Sequence, residues 1–394
     1  MKQSQLIFKT KKENILDESI NANLLIKASF VKKLMSGVYS YLPLGNMVLR
    51  NIESIIREEM NKLGSQEILM PALHPKEPWE KTKRWELKEM FKIRDKEYGL
   101  GWTHEEIVVP LAKEAAFSKK DFPFSLYQIQ TKFRNELRAK SGVLRGIEFL
   151  MKDLYSFHVL EKDLDVFYEK VKKSYFNIFK KCGLEKKTFL TLASGGTFSK
   201  YSHEFQTITE AGEDQIYLCE KCSLAINKEI IKQEKYQCPK CKNKKLTVKK
   251  AIEVGNIFKL YDKYTKPFNF KISDKYVFMG CYGLGISRLM GAIVEICHDE
   301  KGIIWPEQIS PFNIHLISIG KVKKQADKLY QVLQKKGNKV LYDDRDKNTG
   351  EKLVEADLIG LPIRIIISEK TLQKNCIEIK KRDEKTIKLQ KYNR

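Results

Sequence analysis

Two close pairs of cysteines constrain the fold of this chain more tightly than any other local feature. Cys219 and Cys222 form the first pair, and Cys238 and Cys241 follow after fifteen residues. Two thiolate pairs at this spacing can complete a tetrahedral zinc shell and leave no open coordination position. The spacing therefore predicts a small knuckle that holds a structural metal. Free thiols on a short hairpin are the alternative.

The net charge favours a polyanionic partner but does not identify one. The 394 residues include 73 Lys and Arg against 50 Asp and Glu, a formal charge of +23. Such an excess favours nucleic acid above other partners. Lysine is spread through nearly every segment, however, so composition alone leaves nucleic-acid binding open. The length is sufficient for two or three domains.

The chain shows no signal for membrane insertion or export. No segment reaches 18 consecutive apolar residues, so we expect no membrane span. The N-terminal stretch lacks an apolar core, carries acidic residues and has no Arg before Arg50. We therefore expect a cytoplasmic protein, in which paired cysteines favour metal over disulfide. The remaining cysteines are expected to be packed thiols: Cys182, Cys281, Cys297 and Cys376.

Residues 126–159 predict a strand, a loop and an antiparallel strand. In the first strand, alternate positions are polar and share one face: Gln128, Gln130, Lys132, Arg134 and Glu136. A strand face with this composition predicts a functional surface, and a salt-bridge ladder on an exposed sheet is the alternative.

The loop after this strand is basic, and it carries Arg138, Lys140 and Arg145. Guanidinium groups are planar donors that suit phosphate or carboxylate ligands. The loop therefore strengthens the prediction that the adjacent strand face binds an anion.

The segment GCYGLGISR, from Gly280 to Arg288, predicts a strand, a glycine turn and a helix. Its glycines allow close backbone approach to a ligand, but their spacing does not match the dinucleotide-binding fingerprint. Arg288 is predicted in the first turn of the helix. A guanidinium there can lie over an aromatic base or contact a phosphate.

Two further segments are candidates for ligand contact. Thr103 and Glu105 in THEE point the same way if the segment is extended, which suits a small ammonium-bearing ligand. Thr103 and Glu106 also match a capping box before the apolar run that follows. In SGGTFSKYSHEF, a Gly-Gly turn precedes His203, which is a site candidate only if that turn borders the polar sheet face.

Periodicity predicts the remaining elements. Helical spacing covers 46–63 and 162–181, and a short strand precedes Pro71. Beyond Pro306–Pro311 the pattern changes to β-α-β-α-β, with helices near 321–336 and 350–359 and a last strand near 376–380. This alternation predicts a separate α/β domain of about 80 residues.

Taken in order, these segments resemble the class II aminoacyl-tRNA synthetases, and specifically the bacterial-type prolyl-tRNA synthetases. The helix and strand ending at Pro71 resemble motif 1, TKFRNELRAKSGVLRGIEFLMKDLYSFH resembles motif 2, and MGCYGLGISRLMGAIVE resembles motif 3. LYDDRDKNTGEKLVEADLIGLPIRI is similar to the anticodon-binding domain of that family. The combination of THEE, LYQIQTKFRNE, FLMKDLYSFH and IEVGNIFKL indicates proline as the amino acid.

The resemblance implies an α+β fold. A catalytic domain built on an antiparallel sheet would carry a small cysteine-knuckle insertion and precede a C-terminal α/β anticodon-binding domain. The implied boundaries are 1–213 and 253–309 for the catalytic domain, 214–252 for the knuckle and 310–394 for the anticodon-binding domain.

The resemblance also implies an activity: ATP-dependent attachment of L-proline to tRNA(Pro) through prolyl-adenylate, with Mg²⁺ as cofactor and a homodimer built on motif 1. Bacterial-type members usually carry an editing domain where this chain has only the knuckle. We therefore expect no cis-editing, and a separate trans-editing protein is a possible partner. The alternatives are a synthetase for threonine or glycine, a catalytically silent paralogue, and a zinc-ribbon nucleic-acid binder.

Residue roles carried over by position divide into two groups. On the proline side, Arg134 would bridge the proline carboxylate and the ATP α-phosphate, and Thr103 and Glu105 would hold the proline nitrogen. The residues implied to line the proline pocket are His158, His203 and Cys281.

On the ATP side, Glu136 would meet the adenine end and Arg145 the γ-phosphate. Phe149 and Arg288 would enclose the adenine ring. Two positions depart from the family pattern here: Ile147 stands where a second Arg is usual, and Trp102 stands where Pro is usual.

Overall fold

The structure is a computed structural model that describes residues 1–13, 19–136 and 139–392. The α-helices are α1 Ile20–Lys27, α2 Pro43–Lys62, α3 Lys76–Lys81, α4 Glu105–Ala115, α5 Glu161–Lys181, α6 Ile286–Ile296, α7 Lys323–Lys335, α8 Thr349–Ile359 and α9 Glu369–Gln373. Short 3₁₀ helices lie at Gln3–Gln5, Lys119–Asp121 and Gly142–Leu144.

The strands, numbered in chain order, are β1 Val31–Met35, β2 Val38–Tyr41, β3 Gln66–Glu67, β4 Leu73–Pro75, β5 Tyr98–Leu100, β6 Phe124–Phe133, β7 Glu148–His158, β8 Thr188–Ser194, β9 Tyr201–Ile208, β10 Asp214–Leu218, β11 Ala225–Asn227, β12 Thr247–Tyr261, β13 Lys271–Ile272, β14 Lys275–Tyr276, β15 Phe278–Gly285, β16 His298–Asp299, β17 Gly302–Ile303, β18 Ile314–Ile319, β19 Val340–Asp343, β20 Ile363–Ser368, β21 Cys376–Lys381 and β22 Ile387–Lys391.

A nine-stranded sheet forms the centre of the larger unit, in the order β10-β11-β8-β9-β12-β15-β7-β6-β3. Its neighbours pair antiparallel, except that β11 with β8 and β3 with β6 are parallel. Strands β6 and β7 form the predicted strand, loop and antiparallel strand in continuous register from Phe124 to Phe133. The prediction of a largely antiparallel catalytic sheet is confirmed.

Helices α2, α5 and α6 pack together over the apolar side of this sheet. Ile52, Ile56 and Met60 recur at helical spacing on α2 and are fully buried. The predicted helix 46–63 is confirmed, although it begins earlier because Pro43 occupies the first turn, where its fixed φ suits a helix. The predicted strand before Pro71 is wrong in length, since only Gln66 and Glu67 pair with β6.

The segment that contains the cysteines is part of the main sheet rather than a separate body. Strand β10 pairs with β12, and β11 inserts between β10 and β8. The implied boundary at 252–253 falls inside β12, which runs unbroken from Thr247 to Tyr261. The knuckle is therefore continuous with the strand that continues into the centre of the sheet.

A second sheet, in the order β19-β18-β20-β21-β22, lies in the C-terminal part. The first three strands are parallel and are connected by α7 and α8, as the β-α-β-α-β pattern predicts. Strand β21 then adds in the antiparallel sense, and β22, which the sequence did not predict, pairs with it.

The two sheets are joined by close contacts. Arg382 beside the second sheet donates two hydrogen bonds to Asp299, at 2.7 and 2.5 Å. Gly360 has φ +77° and lies so close to the backbone of Ile303 that a side chain would collide with it. Within the described segments, no helix has the length and apolarity needed to cross a membrane.

Candidate active site

A cavity of about 320 Å³ opens on one face of the nine-stranded sheet. Its walls come from the end of β6, from β12 and β15, from the segment before α4, and from the turn between β8 and β9. The lining side chains that carry chemistry are Thr103, Glu105, Arg134, Glu253, Asn256, Cys281 and Arg288.

A fully buried carboxylate forms one corner of the cavity. Thr103 Oγ1 donates to Glu105 Oε2 at 2.5 Å, and the Cys281 thiol donates to Glu105 Oε1 at 3.2 Å. The structure thus brings together Thr103 and Glu105, the two residues proposed for the proline nitrogen, and Cys281, proposed for the proline pocket. The predicted capping box is wrong, because α4 begins at Glu105 with His104 at the N-cap, and the Thr103 hydroxyl bonds the Glu105 side chain instead.

Arg134 lies just beyond the end of β6, and its guanidinium is held between two aromatic rings. Its Cζ is 5.3 Å from the Trp102 ring centroid and 5.2 Å from that of Phe149. Burial lowers the pKa of Arg134 to about 10, and the nearby Arg288 guanidinium adds to this effect. Its Nε is buried without a hydrogen-bond partner in the described chain. The site therefore presents an uncompensated donor that suits an anion.

Arg288 stands in the first turn of α6, as predicted. Its Nε donates to the Leu144 carbonyl at 2.8 Å, and its Nη1 donates to the Glu253 carbonyl at 2.7 Å. The Glu253 carboxylate is 3.7 Å away. These contacts fix the plane of the guanidinium in the cavity wall.

The polar face of β6 is mainly a buried network and not an open surface. Lys132 Nζ lies 2.8 Å from Asp153 and 2.6 Å from His104 Nδ1, and Gln128 donates to Asp153 at 2.9 Å. Burial and the adjacent Lys132 lower the pKa of His104 to about 3, so its ring stays neutral. The predicted functional surface is thus restricted to Arg134 at the end of the strand.

The glycine segment before α6 is a strand, so the predicted glycine turn is wrong. Strand β15 continues through Gly285, and the helix starts at the next residue. At Gly283 a Cβ would find no atom nearer than 3.9 Å. This glycine therefore leaves open cavity space that a side chain would fill, as close backbone approach to a ligand requires.

Several residues implied by the resemblance lie away from the cavity. His158 contacts Ser156 Oγ at 2.9 Å, and His203 Nδ1 contacts the Tyr168 hydroxyl at 2.8 Å. Neither histidine lines the cavity, so the structure does not bring them together with Thr103 and Glu105. The Gly-Gly turn does border the cavity, but β9 carries His203 beyond it into a separate groove.

On the ATP side, two predicted residues bind each other. Arg145 Nε lies 2.9 Å from Glu136, and Arg145 also pairs with Glu213. The Phe149 ring packs against the Arg134 guanidinium. Arg138, another residue of the predicted basic loop, lies outside the described residues.

Sequence reasoning missed two polar residues on β12. A bulge between Glu253 and Gly255 shifts the register, so that both Glu253 and Asn256 line the cavity. The Asn256 Oδ1 is buried and has no partner among the described residues. A glycine inside a strand pattern was the available signal, because it often marks a bulge.

The four paired cysteines come together as predicted. Their sulfur atoms all lie within 4.8 Å of one another, and no disulfide links them. Cys219 and Cys241 are 3.5 Å apart, as are Cys222 and Cys238. This cluster of four thiols has the donor set and the proximity to hold a metal ion.

Comparison with known families first defines the class. Residues 89–297 match the family described as tRNA synthetase class II core domain (G, H, P, S and T), and residues 309–391 match the anticodon binding domain. Together with the antiparallel sheet and the arginine-lined cavity, these matches define a class II aminoacyl-tRNA synthetase.

Whole-chain relatives then specify the amino acid. The proline–tRNA ligase of Wolbachia pipientis wMel is 42% identical over 380 residues, covering 91% of this chain and 89% of that protein. The enzyme of Ehrlichia chaffeensis is 40% identical over 413 residues, covering 97% and 96%. The chain belongs to the prolyl-tRNA synthetases, the ATP-dependent ligases that join proline to tRNA(Pro).

A more distant relative differs in length. The proline–tRNA ligase of Caldicellulosiruptor saccharolyticus is 33% identical over 532 residues, covering 94% of this chain and 93% of that protein. Because this alignment is longer than the chain itself, that relative contains segments that this chain lacks.

Solved structures share the fold. Cryptosporidium parvum prolyl-tRNA synthetase complexed with L-proline and AMP has a TM-score of 0.75 at 16% identity, covering 94% of this chain and 72% of that one. Giardia lamblia prolyl-tRNA synthetase in complex with prolyl-adenylate has a TM-score of 0.75 at 19% identity, covering 93% and 73%.

Proposed function

We propose that the cavity activates proline at its Glu105 corner with ATP bound between Arg134 and Arg288, and that this chain does not edit mischarged tRNA in cis. The observation that carries the proposal is the buried Arg134 guanidinium, whose Nε has no partner in the described chain and which lines the same cavity as Glu105 and Arg288. A guanidinium at this position can donate to a carboxylate and a phosphate at the same time.

At the proline end, the Glu105 carboxylate accepts a hydrogen bond from the proline nitrogen. The Thr103 hydroxyl and the Cys281 thiol hold this carboxylate in place by donating to it. Arg134 binds the proline carboxylate and holds it against the α-phosphate. Positioning two reactants in this way replaces a bimolecular encounter by a reaction within one complex.

At the ATP end, a proline carboxylate oxygen forms a bond to the α-phosphorus while the bond to the pyrophosphate oxygen breaks. Arg134 and Arg288 stabilise the charge that develops on the phosphate oxygens. Glu253 and Asn256 line the cavity and would supply the carboxylate and amide oxygens that Mg²⁺ prefers. Mg²⁺, when bound with ATP, neutralises phosphate charge.

The second step transfers the prolyl group to tRNA. The terminal ribose hydroxyl attacks the acyl carbonyl of the adenylate, and AMP leaves. We assign Arg145 to the γ-phosphate and Glu136 to the adenine side of ATP, with ligand contacts replacing their mutual ion pair. Phe149 would then support the adenine ring together with Arg288.

Arg134→Ala tests the assignment of the cavity. Loss of one charge-stabilising donor costs about 2.7–4 kcal/mol in the transition state, so proline-dependent pyrophosphate exchange should fall at least about 100-fold. Arg94→Ala, at an exposed arginine, is the matched control and should retain activity. Near-normal exchange by the Arg134 variant would refute the proposed site.

We assign the cysteine cluster to structural zinc. Four thiolates complete a tetrahedral shell, so the site has no open position for catalysis. Mass spectrometry of the purified protein should detect about one zinc per chain. The Cys219→Ser/Cys238→Ser double variant should contain none. Absence of metal from the unmodified protein prepared under reducing conditions would support free thiols instead.

The lack of cis-editing follows from the short connection around the knuckle. Between β10 and β12 the chain contains β11 and the cysteine cluster, whereas the longer Caldicellulosiruptor relative has additional segments. Alanine lacks part of the proline ring, and missing methylenes discriminate by only about 1–3 kcal/mol each. Alanyl-tRNA(Pro) should therefore persist with the purified enzyme, unless a separate trans-editing protein is added. Rapid deacylation by this chain alone would contradict the proposal.

We further propose a cytoplasmic homodimer that uses the surface around motif 1. Leu69 and Leu73 are 75% and 49% exposed in the single chain and lie on neighbouring parts of that segment. Exposed large apolar side chains close together are typical of an interface. Analytical ultracentrifugation should show a dimer, and Leu69→Glu/Leu73→Glu should give monomers. The proposed division remains a catalytic unit with its knuckle and an anticodon-binding unit from about residue 310.

A further inference from the structure

A buried arginine lies directly behind the Glu105 corner, outside the cavity wall. Arg84 is only 5% exposed. Four aromatic rings surround its guanidinium, with centroids 4.9–5.4 Å from Cζ: Trp79, Trp102, Phe198 and Tyr264. Such stacking fixes the plane of a guanidinium, which an ammonium group cannot reproduce.

Arg84 contacts both carboxylates at the start of α4. Its Nη1 lies 2.9 Å from Glu106 Oε1 and 3.4 Å from Glu105 Oε2. Glu106 also accepts from the Thr82 hydroxyl at 2.8 Å, and both glutamates are fully buried. The guanidinium therefore links the substrate-facing carboxylate to a second carboxylate that does not line the cavity.

The other nearby cations have partners elsewhere. Lys132 is paired with Asp153, and Lys263 donates to the carbonyls of Thr197 and Phe198. Arg134 stacks on Trp102 and Phe149. Arg84 is thus the cation that bonds directly to this pair of glutamates within the described chain.

The charge balance of this corner explains what the arrangement can do. Two adjacent buried carboxylates cannot both remain ionised without a counterion. One guanidinium compensates one of the two charges. Burial, together with the adjacent Glu105, raises the pKa of Glu106 to about 7 despite the contact with Arg84. Glu105 is the member of the pair that faces the cavity, where its carboxylate can accept from a substrate ammonium.

We propose that Arg84 is a positioning residue that holds the Glu105 carboxylate in the orientation that receives the amino group of the substrate. This inference rests on the proposed role of Glu105. Arg84 acts through that carboxylate and does not touch the substrate itself. Its removal should therefore weaken recognition of the amino group and leave the ATP end of the cavity intact.

The experiment compares Arg84→Gln, Arg84→Lys and Glu105→Gln, with Arg94→Gln as the exposed matched control. Pyrophosphate exchange gives KM for proline and for ATP separately. Tetrahydrofuran-2-carboxylate, which has a ring oxygen in place of the secondary amine, serves as an inhibitor competitive with proline. Its inhibition constant reports the shape of the pocket without the ammonium contact.

Arg84→Gln should raise KM for proline about 100-fold, because truncating one partner of a buried charge pair is costly. KM for ATP and the inhibition constant of the oxygen analogue should change less than about threefold. The KM for proline of Arg84→Lys should lie between those of the glutamine variant and the unmodified enzyme. If the glutamine variant does not fold, the lysine variant supplies the same comparison.

Two results would overturn the inference. An unchanged KM for proline in both Arg84 variants would do so, as would equal weakening of proline and the oxygen analogue, which indicates a collapsed pocket. Glu105→Gln separates this failure from that of the proposed function: if it too leaves KM for proline unchanged, the assignment of Glu105 is at fault.

Discussion

At the scale of single residues, Gly283 shows how an absent side chain makes room for a ligand. Because a Cβ there would meet no atom closer than 3.9 Å, valine should fit the folded strand but project into the cavity. We expect Gly283→Val to retain the thermal midpoint within a few degrees and to lose pyrophosphate exchange by at least about 100-fold. Circular dichroism melts and exchange assays on one sample test this. A variant that is equally stable and active would show that the cavity face of β15 does not contact ligand.

Glu204 provides a pH-dependent contribution to stability. Burial raises the pKa of Glu204 to about 8, and the neighbouring carboxylates Glu253 and Asp214 add to the effect. The folded protein thus holds a proton that an unfolded glutamate releases near its ordinary pKa of 4.5. The stability from this group is complete below about pH 4.5 and decreases as the pH rises towards 8.

Glu204→Gln replaces the protonated acid by an amide of the same shape. The free energy of unfolding of the unmodified protein should fall between pH 5 and 8, and this fall should be smaller in the variant. Urea denaturation at several pH values measures the difference, with Glu185→Gln at an exposed position as control. The idea fails if the two proteins show parallel pH profiles.

The sequence identified some site residues because their spacing along the chain indicates which way their side chains point. Thr103 and Glu105 are two apart in an extended segment, and Arg288 follows the strand-to-helix transition. Arg84 could not be found in this way, because it is distant in sequence from Glu105. Its contacts with the two glutamates and the four aromatic rings exist only in the folded chain. His203 was misplaced because the bordering turn alone does not determine on which side of β9 the ring lies.

At the scale of elements, β12 connects the cysteine knuckle with the cavity. Its first residues pair with β10 beside the knuckle, and Glu253 and Asn256 further along line the cavity. Asn227 on β11 donates to the Glu204 carboxylate at 3.1 Å, within the same buried polar cluster. A loss of structure in the knuckle should therefore also disturb the cavity wall that β12 forms.

Removal of metal from the knuckle should loosen this edge of the sheet first. A loss of about 2 kcal/mol would lower the unfolding midpoint of a chain of this length by roughly 2–3 °C. Hydrogen exchange should accelerate at the amides of β10 and β11, while β18 and β20 in the second sheet keep their protection. Comparison of zinc-loaded and chelator-treated protein provides the measurement, with the double cysteine variant as control. Equal acceleration of hydrogen exchange in both sheets, or no change in either, would contradict the proposed coupling between the knuckle and this edge of the sheet.

Element prediction succeeded where one period persisted over many residues. Helices α2 and α5, the β6–β7 pair and the alternating elements near the C-terminus all have strong patterns. The two-residue β3, the short β11 and the exposed β22 lack such a pattern, because their pairing depends on a partner strand that is distant in sequence. The Gly280–Gly285 segment was predicted as a turn because glycine disfavours strands, but pairing with β7 and β12 on both sides outweighs this preference.

At the scale of the whole molecule, Arg382 fastens the second sheet to the larger unit. Its bidentate contact with Asp299 lowers the pKa of that carboxyl to about 2, chiefly through hydrogen bonding. Arg382 Nε also donates to the Asp357 carbonyl at 3.1 Å. The geometry of this contact sets where an anticodon-binding domain lies relative to the active site.

Arg382→Gln should uncouple the two activities of the enzyme. Pyrophosphate exchange needs only the cavity and should remain within about twofold of normal. Charging of tRNA should fall about tenfold in kcat/KM, as expected for loss of charged hydrogen bonds worth about 1.5 kcal/mol. The neighbouring Lys381→Gln, whose ion pair with Glu384 is exposed, is the control. A parallel loss of exchange and charging would place the effect in the catalytic unit instead.

The sequence by itself determined the class of protein and the motifs that build the catalytic sheet, through their resemblance to a known family. It also determined that the four cysteines come together, because that follows from their spacing. Only the tertiary structure decided which polar side chains reach the ligand. Period-two alternation assigns Lys132 and Arg134 to one face, but the packing of His104 and Asp153 buries the first and leaves the second at the cavity. Burial depends on what covers a face, and that is set by segments remote in sequence.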